Sequence, residues 1–267
     1  MTDLARLDAA LARYARPETF PLAVRMLRPG EPAPGRAKRP LRDLRCKITT
    51  CMGYTMARRY GWVLAMSRED ISCPLSKTVY GFEEEVDYFK DGCTCAGMYT
   101  ATAEAGARTE AAIAKFDWNE YETIACAPLE RAEFEPQVVV VYGNSAQVML
   151  LVVAALYKTG GRIASSFAGR IDCSDSVIQT LRSQEPQVIL PCYGDRVFGA
   201  TQDHEMGFSF PITSAEDIVA GLEGAHRGGV RYPIPTYLRF EPTYPPAYTK
   251  LEEIWASRKE GEHPAKS

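Results

Sequence analysis

The sequence predicts an α/β chain of the α+β kind, with two pseudo-symmetric βαβ-like modules and mixed sheets packed together. Three observations carry this. The four valines at 138–141 follow Glu135-Pro136 in a short, β-branched run bounded by turn formers, which predicts a strand buried on both faces. Asn144 and Ser145 are natural caps for the apolar run 146–157, and Gly160-Gly161 is its stop, so a helix follows that strand. QVILPC (187–192) then returns as a strand ending at a cysteine, and a comparable succession occurs earlier in the chain.

Taken in order, residues 2–16 place Leu4, Leu7, Leu11 and Ala15 at helical spacing, giving a surface helix ended by Pro17. PLAVRML (21–27) alternates as a strand, and PGEPAPG (29–35) is a turn-rich loop. Residues 51–60 read as a helix with Met52 and Met56 on one face, stopped by Gly61, and WVLAM (62–66) as the next strand. A polar corner (67–72) leads to Cys73-Pro74 and a short helix over 75–82. The Ala-rich stretch 101–115 is helical by propensity, and YETIACAPL (121–129) is a strand ending at Cys126. Residues 213–222 start with a capping threonine or serine and predict a helix ended by Gly224. RYPIPTYLRFEPTYPPAY, at 231–248, has five prolines and predicts an extended strap within 226–258. Residues 251–257 add a last turn of helix, and 259–267 a disordered tail.

Halves 20–125 and 126–225 repeat one another. Cys73 and Cys173, one hundred residues apart, each open a short helix after a polar corner, and Cys126 and Cys192 each end a strand. Two modules about a pseudo-twofold axis are expected within a single compact domain, with four corner cysteines facing one another.

A chain of 267 residues builds its own core, so its eight cysteines are not needed as staples. The net charge of −3 and a pI near 5.8 argue against a general nucleic-acid binder. The basic stretch 36–45, with five Arg or Lys, reads as a solvated loop ahead of a phosphate-binding surface. The N-terminus lacks the apolar core of a signal peptide, and the longest apolar run, 148–157, is half a membrane span. A cytoplasmic protein is expected, in a compartment where cysteine clusters mean metal or catalysis more often than cross-links. Three histidines, none in a metal-binding frame, argue against a zinc hydrolase.

The cysteines form no CxxC, so neither a ferredoxin run nor a zinc ribbon is present. Placement is more telling than spacing. Cys51, Cys73 and Cys173 open helices, where the helix terminus favours the thiolate that binds metal. Plain core filling is the rival reading for each single cysteine. Scattered thiolates without paired knuckles favour an iron–sulfur cluster over zinc. In CYGDR (192–196), Arg196 offers a fork to an anion or pairs internally with Asp195 or Asp172. Asn144 and Gln147, in GNSAQ (143–147), either cap the helix or bind a polar ligand.

The chain resembles domain-of-unknown-function family 169 through CMGYTMARRYG (51–61), SREDISC (67–73), APLERAEFEPQVVVVYGNSAQVM (127–149), DCSDSV (172–177), LPCYGDR (190–196) and, more loosely, HRGGVRYPIP (226–235). The resemblance implies a soluble prokaryotic protein near redox or one-carbon functions, and names no substrate. It sorts the cysteines. Cys51, Cys73, Cys173 and Cys192 fall inside the motifs, whereas Cys46, Cys93, Cys95 and Cys126 look like additions that leave room for other ligands or a second cluster.

The expectation is therefore an iron–sulfur protein with one 4Fe-4S cluster on Cys51, Cys73, Cys173 and Cys192, at the interface of the two modules. It would transfer electrons, or bind and reduce a small molecule, with Arg196, Asn144 and Gln147 toward the substrate. The partner is a small molecule or an electron-transfer protein, with a homodimer left open and neither nucleic acid nor membrane involved. Two alternatives stand beside it: a metal-free binding or regulatory module for an anionic metabolite, and a thiol enzyme with Cys192 as nucleophile.

Overall fold

The computed structural model describes residues 3–234 and 241–261, with the side chains of 259–261 excepted. Six strands form one sheet: β1 (Leu22–Leu27), β2 (Leu64–Ser67), β3 (Thr123–Pro128), β4 (Val138–Gly143), β5 (Gln187–Ile189) and β6 (Met206–Pro211). The helices are α1 (Leu4–Ala10), α2 (Thr50–Tyr60), α3 (Pro74–Val79), α4 (Asp87–Lys90), α5 (Ala103–Ala112), α6 (Ser145–Leu156), α7 (Thr180–Ser183), α8 (Tyr193–Phe198), α9 (Ala215–Arg227) and α10 (Pro246–Gly261). A π-helical turn, Ser174–Gln179, runs straight into α7. None of the described helices is long and apolar enough to cross a membrane.

The strand order is β2-β3-β1-β4-β6-β5, and every pairing is antiparallel. The α+β class is as expected, but one continuous antiparallel sheet replaces two mixed ones. The reason lies in the third strand of each half. β3 slots between β1 and β2, and β6 between β4 and β5, so strands that would pair in parallel in a simple βαβ unit are held apart. The order is nonetheless symmetric about the β1–β4 seam, with β1, β2 and β3 matching β4, β5 and β6.

Alternation along the strands supplies two cores. Val24, Met26, Leu64, Met66, Ile124, Val138 and Val140 face α2 and the turn before α7. Ala23, Val139, Val141, Phe208 and Phe210 face α1, α6 and α9. The four valines thus lie in a strand buried on both sides, as their composition predicts. Cys126 does not end its strand. It sits inside β3 opposite Val24 and Leu64, fully buried in apolar contacts, which removes it from any corner set.

The N-terminal helix lies on the surface as expected, running through α1 and a π-helical turn, Leu11–Ala15, with Leu7, Leu11 and Ala15 buried toward α9 and Ala5, Ala9, Ala12 and Arg13 exposed. Gly224 does not stop α9, which continues to Arg227. Gly221 and Gly224 are there for close packing on α6, since a Cβ at Gly221 would collide with the Ala154 backbone. Gly221→Ala is expected to cost about 1–3 kcal/mol in a urea melt, as overpacking against rigid backbone does. At the C-terminus a long helix, α10, with its described side chains exposed, stands where an extended strap and a single turn were expected. Before α10, residues 228–234 and 241–245 of that strap carry neither helix nor strand, and 235–240, like the tail 262–267, lie outside the described residues.

Candidate metal centre

Each motif cysteine stands at a helix start. Cys51 is the second residue of α2 after the cap Thr49, and Cys73 is the cap of α3. Cys173 precedes the Ser174–Gln179 turn, and Cys192 precedes α8. The sheet symmetry pairs them differently from the repeat seen in sequence. Cys51 and Cys173 both open the helix that leads from the first to the second strand of a half. Cys73 and Cys192 both follow the second strand. The match of Cys73 with Cys173 is out of step by one element, because α6 is an extra helix on the opposite face of the sheet.

All four line one cavity of about 340 Å³, together with Leu75, Met98, Tyr99, Arg170, Asp172, Tyr193, Asp195 and Phe198 among others. A larger hollow, about 520 Å³, lies over Arg16, Thr19 and Arg59 and carries no cysteine.

Hydrogen bonds from several elements hold this wall in place. The Thr49 hydroxyl donates to the Cys51 sulfur at 2.9 Å, and the Ser76 N–H donates to the Cys73 sulfur at 3.5 Å. The Tyr80 hydroxyl donates to the Cys173 carbonyl at 3.0 Å, which leaves it to accept from Tyr54 at 2.8 Å. Thus α2 and α3 together fix the backbone of Cys173. Gly199 brings the loop after α8 against α2: a Cβ there would meet Asp195 and the Cys51 side chain.

The electrostatics of the protein alone favour the protonated thiol at Cys51, Cys173 and Cys192. Burial pushes Cys51 up to about 12, with Asp195, Asp172 and Cys192 adding to the shift against the Thr49 hydroxyl. Burial and the neighbouring Asp172 push Cys192 up to about 12 as well. Cys173 is raised by burial first, then by Asp172, Cys73, Cys192 and Cys51, so its sulfur lies in the field of the other three. Asp172 and Asp195 are themselves buried, touch each other, and are raised by that burial. Thr201 donates to Asp195 at 2.9 Å and accepts from Arg58 at 3.1 Å, and Arg58 is paired with Glu205.

These shifts bear on Cys192 as a nucleophile. A thiol raised to about 12 has on the order of one thiolate in ten thousand or fewer at pH 7.5. In metal-free protein, iodoacetamide is therefore expected to label the exposed Cys46 first and to reach Cys51 and Cys192 only on unfolding, as peptide mass spectrometry would read. Rapid labelling confined to Cys192 would restore the thiol-enzyme alternative.

The three residues assigned to substrate lie apart from the cavity lining. Asn144 accepts from the N–H groups of Ala146 and Gln147, and its amide donates to the Tyr232 hydroxyl. Gln147 closes the capping box and donates to the carbonyls of Ala15 and Arg16. Arg196 donates to the Gln202 carbonyl at 2.6 Å and comes within 4.0 Å of Asp203, so it closes its own loop and meets neither Asp195 nor Asp172. The cation that does line the cavity is Arg170. Its side chain is 1% exposed and ion-paired with Glu110 at 3.1 Å. Arg170 also contacts the Cys95 sulfur and lies 4.9 Å from the Tyr99 ring centre. Asp172 and Asp195 were legible in the motifs DCSDSV and CYGDR; Arg170, Met98 and Tyr99 reach the cavity through contacts that no local pattern announces.

Fold and site together define an α+β protein whose single antiparallel sheet carries a cavity walled by four cysteines at helix starts. The chain belongs to the family described as "Uncharacterised ArCR", domain-of-unknown-function family 169, whose model matches residues 10–221 and so covers all four cysteines. It is similar to "Uncharacterized protein MJ0308" of Methanocaldococcus jannaschii, with 33% identity over 121 residues, 45% of this chain and 52% of that protein. The match thus spans about half the length of that relative. No solved structure matches the chain significantly.

Proposed function

We propose that the chain is an iron–sulfur protein holding one 4Fe-4S cluster on Cys51, Cys73, Cys173 and Cys192, and that the cluster transfers electrons or binds and reduces a small molecule. One observation carries this reading: four cysteines from four separate segments line the same cavity. Among the described residues, no three of His, Cys, Asp or Glu meet closely enough to grip a single ion. A four-iron cluster has four ligand positions of its own and accepts thiolates from separate segments, whereas zinc sites draw on paired knuckles that this sequence lacks.

Burial and the neighbouring carboxyls raise Cys51, Cys173 and Cys192 in the protein alone; coordination to a metal would remove the proton outright. The cluster would supply a reversible one-electron couple. The chain's own part would be to fix the Cys173 backbone through Tyr80 and the Cys51 sulfur through Thr49. A reduced cytoplasmic compartment and a separate electron donor belong to the same proposal. Anaerobic reconstitution should give iron and acid-labile sulfide in equal amounts, with a broad visible absorbance that bleaches on reduction. A colourless protein without iron after that treatment would remove the reading.

A further inference from the structure

We infer that the mouth of the cysteine cavity is a binding chamber for an uncharged, ring-sized organic molecule, which enters above the thiols. This deepens the proposed function by naming a ligand class, but it stands on the cavity walls and not on the cluster.

The walls divide by depth. The floor holds the buried Cys192, Asp172 and Asp195, the half-buried Cys51, Cys73, Cys173, Leu75 and Tyr99 stand above them, and Met98, Tyr193 and Phe198 form the rim. The rim side chains are held in water: Met98 is 70% exposed, Tyr193 69% and Phe198 58%. They come from two separate segments, the loop after α4 and helix α8, yet line one opening. Apolar groups arranged around a concave site, with a few polar groups converging at its base, are the usual make-up of a small-molecule pocket. Two aromatic rings and a methionine favour a flat, ring-bearing body, because rings stack and a thioether adapts to their edges.

Charge sets the rest of the class. The cavity's thiols and carboxyls offer an anion no attraction. Arg170, the cation in the wall, is already neutralised by Glu110 at 3.1 Å and packed on Tyr99. An anionic ligand would have to break that buried pair. A neutral ligand with one polar end can hydrogen-bond to the floor and leave the pair intact.

The test compares two probes of nearly one shape, benzamide and benzoate, on the full chain labelled with 13C at the methionine methyls. Titrations are run on metal-free and on reconstituted protein. Benzamide should shift the Met98 methyl saturably and benzoate should not. Phe198→Ala, at an exposed ring, should weaken benzamide by about three- to tenfold, the range expected for one lost aromatic contact. An absence of benzamide binding in both protein forms overturns the inference, and so does tighter binding of benzoate than of benzamide. Saturable benzamide binding to protein that never takes up iron would support the chamber while removing the cluster. Iron uptake without benzamide binding would do the reverse.

Discussion

Replacing Glu205 by glutamine is expected to lower the unfolding free energy by about 3–5 kcal/mol at neutral pH, the cost of leaving a buried charge without its partner. Arg58, on α2, has a side chain that is 0% exposed and donates to both oxygens of Glu205, at 2.6 and 3.1 Å. The guanidinium also lies 4.2 Å from the centre of the Tyr142 ring, which covers one of its faces. Burial alone would raise Glu205, but Arg58, the Gln202 N–H and Arg59 outweigh it and hold the carboxyl below its ordinary value. A depressed folded value means that the pair stabilises above the unfolded carboxyl's value, about 4.3, and that this contribution is lost as pH falls through the folded one. The wild-type and glutamine curves should therefore converge in acid. Chemical melts at pH 7 and pH 3 would show it, and an equal deficit at both would refute the charge explanation. Replacing Arg58 and Glu205 together by methionine and leucine should recover much of the loss, since both buried charges are then gone.

That pair also shows what could be read from the amino-acid order and what could not. The valine strand β4, the capped helix α6, and α2 with its Gly61 stop are local patterns, and they fold where their periodicity and caps place them. The helix-start positions of Cys51 and Cys73 are local in the same sense. Strand order is not: β3 and β6 insert between earlier strands, and nothing within either segment says which neighbours it will find. Cys126 looks like a strand end because Pro128 follows it closely, yet the proline closes the strand at its last residue and leaves the cysteine inside. Asn144, Gln147 and Arg196 have side chains that suit ligands and backbone alike. For Gln147 the buried carbonyl of Ala15 decides for backbone, because an unmet polar group there costs more than a ligand contact would return, whereas Arg196 meets the Gln202 carbonyl at an exposed loop.

Serine at Cys173 is expected to cut the iron retained after anaerobic reconstitution by about tenfold or more, because the thiolate bonds are what hold the centre in place. Cys173 is the most informative position. Its sulfur lies in the field of the other three, and its backbone is pinned by Tyr80, so the hydroxyl of serine cannot move toward the metal to make up its shorter reach. Two controls separate ligation from folding. Cys46→Ser changes an exposed residue outside the cavity and should keep both iron and stability. Cys126→Ser places a hydroxyl inside β3 among apolar neighbours, which should cost about 1–3 kcal/mol while leaving the iron content of the folded protein unchanged. If Cys173→Ser and Cys126→Ser lose iron in proportion to their lost stability, the sulfur at 173 is only packing. If iron falls in the Cys173 variant alone, with its melt little changed, the thiol is a ligand. The four helix starts then have a common purpose: a sheet whose strand order is symmetric about the β1–β4 seam brings all four to one cavity, two from either side of that seam in sequence.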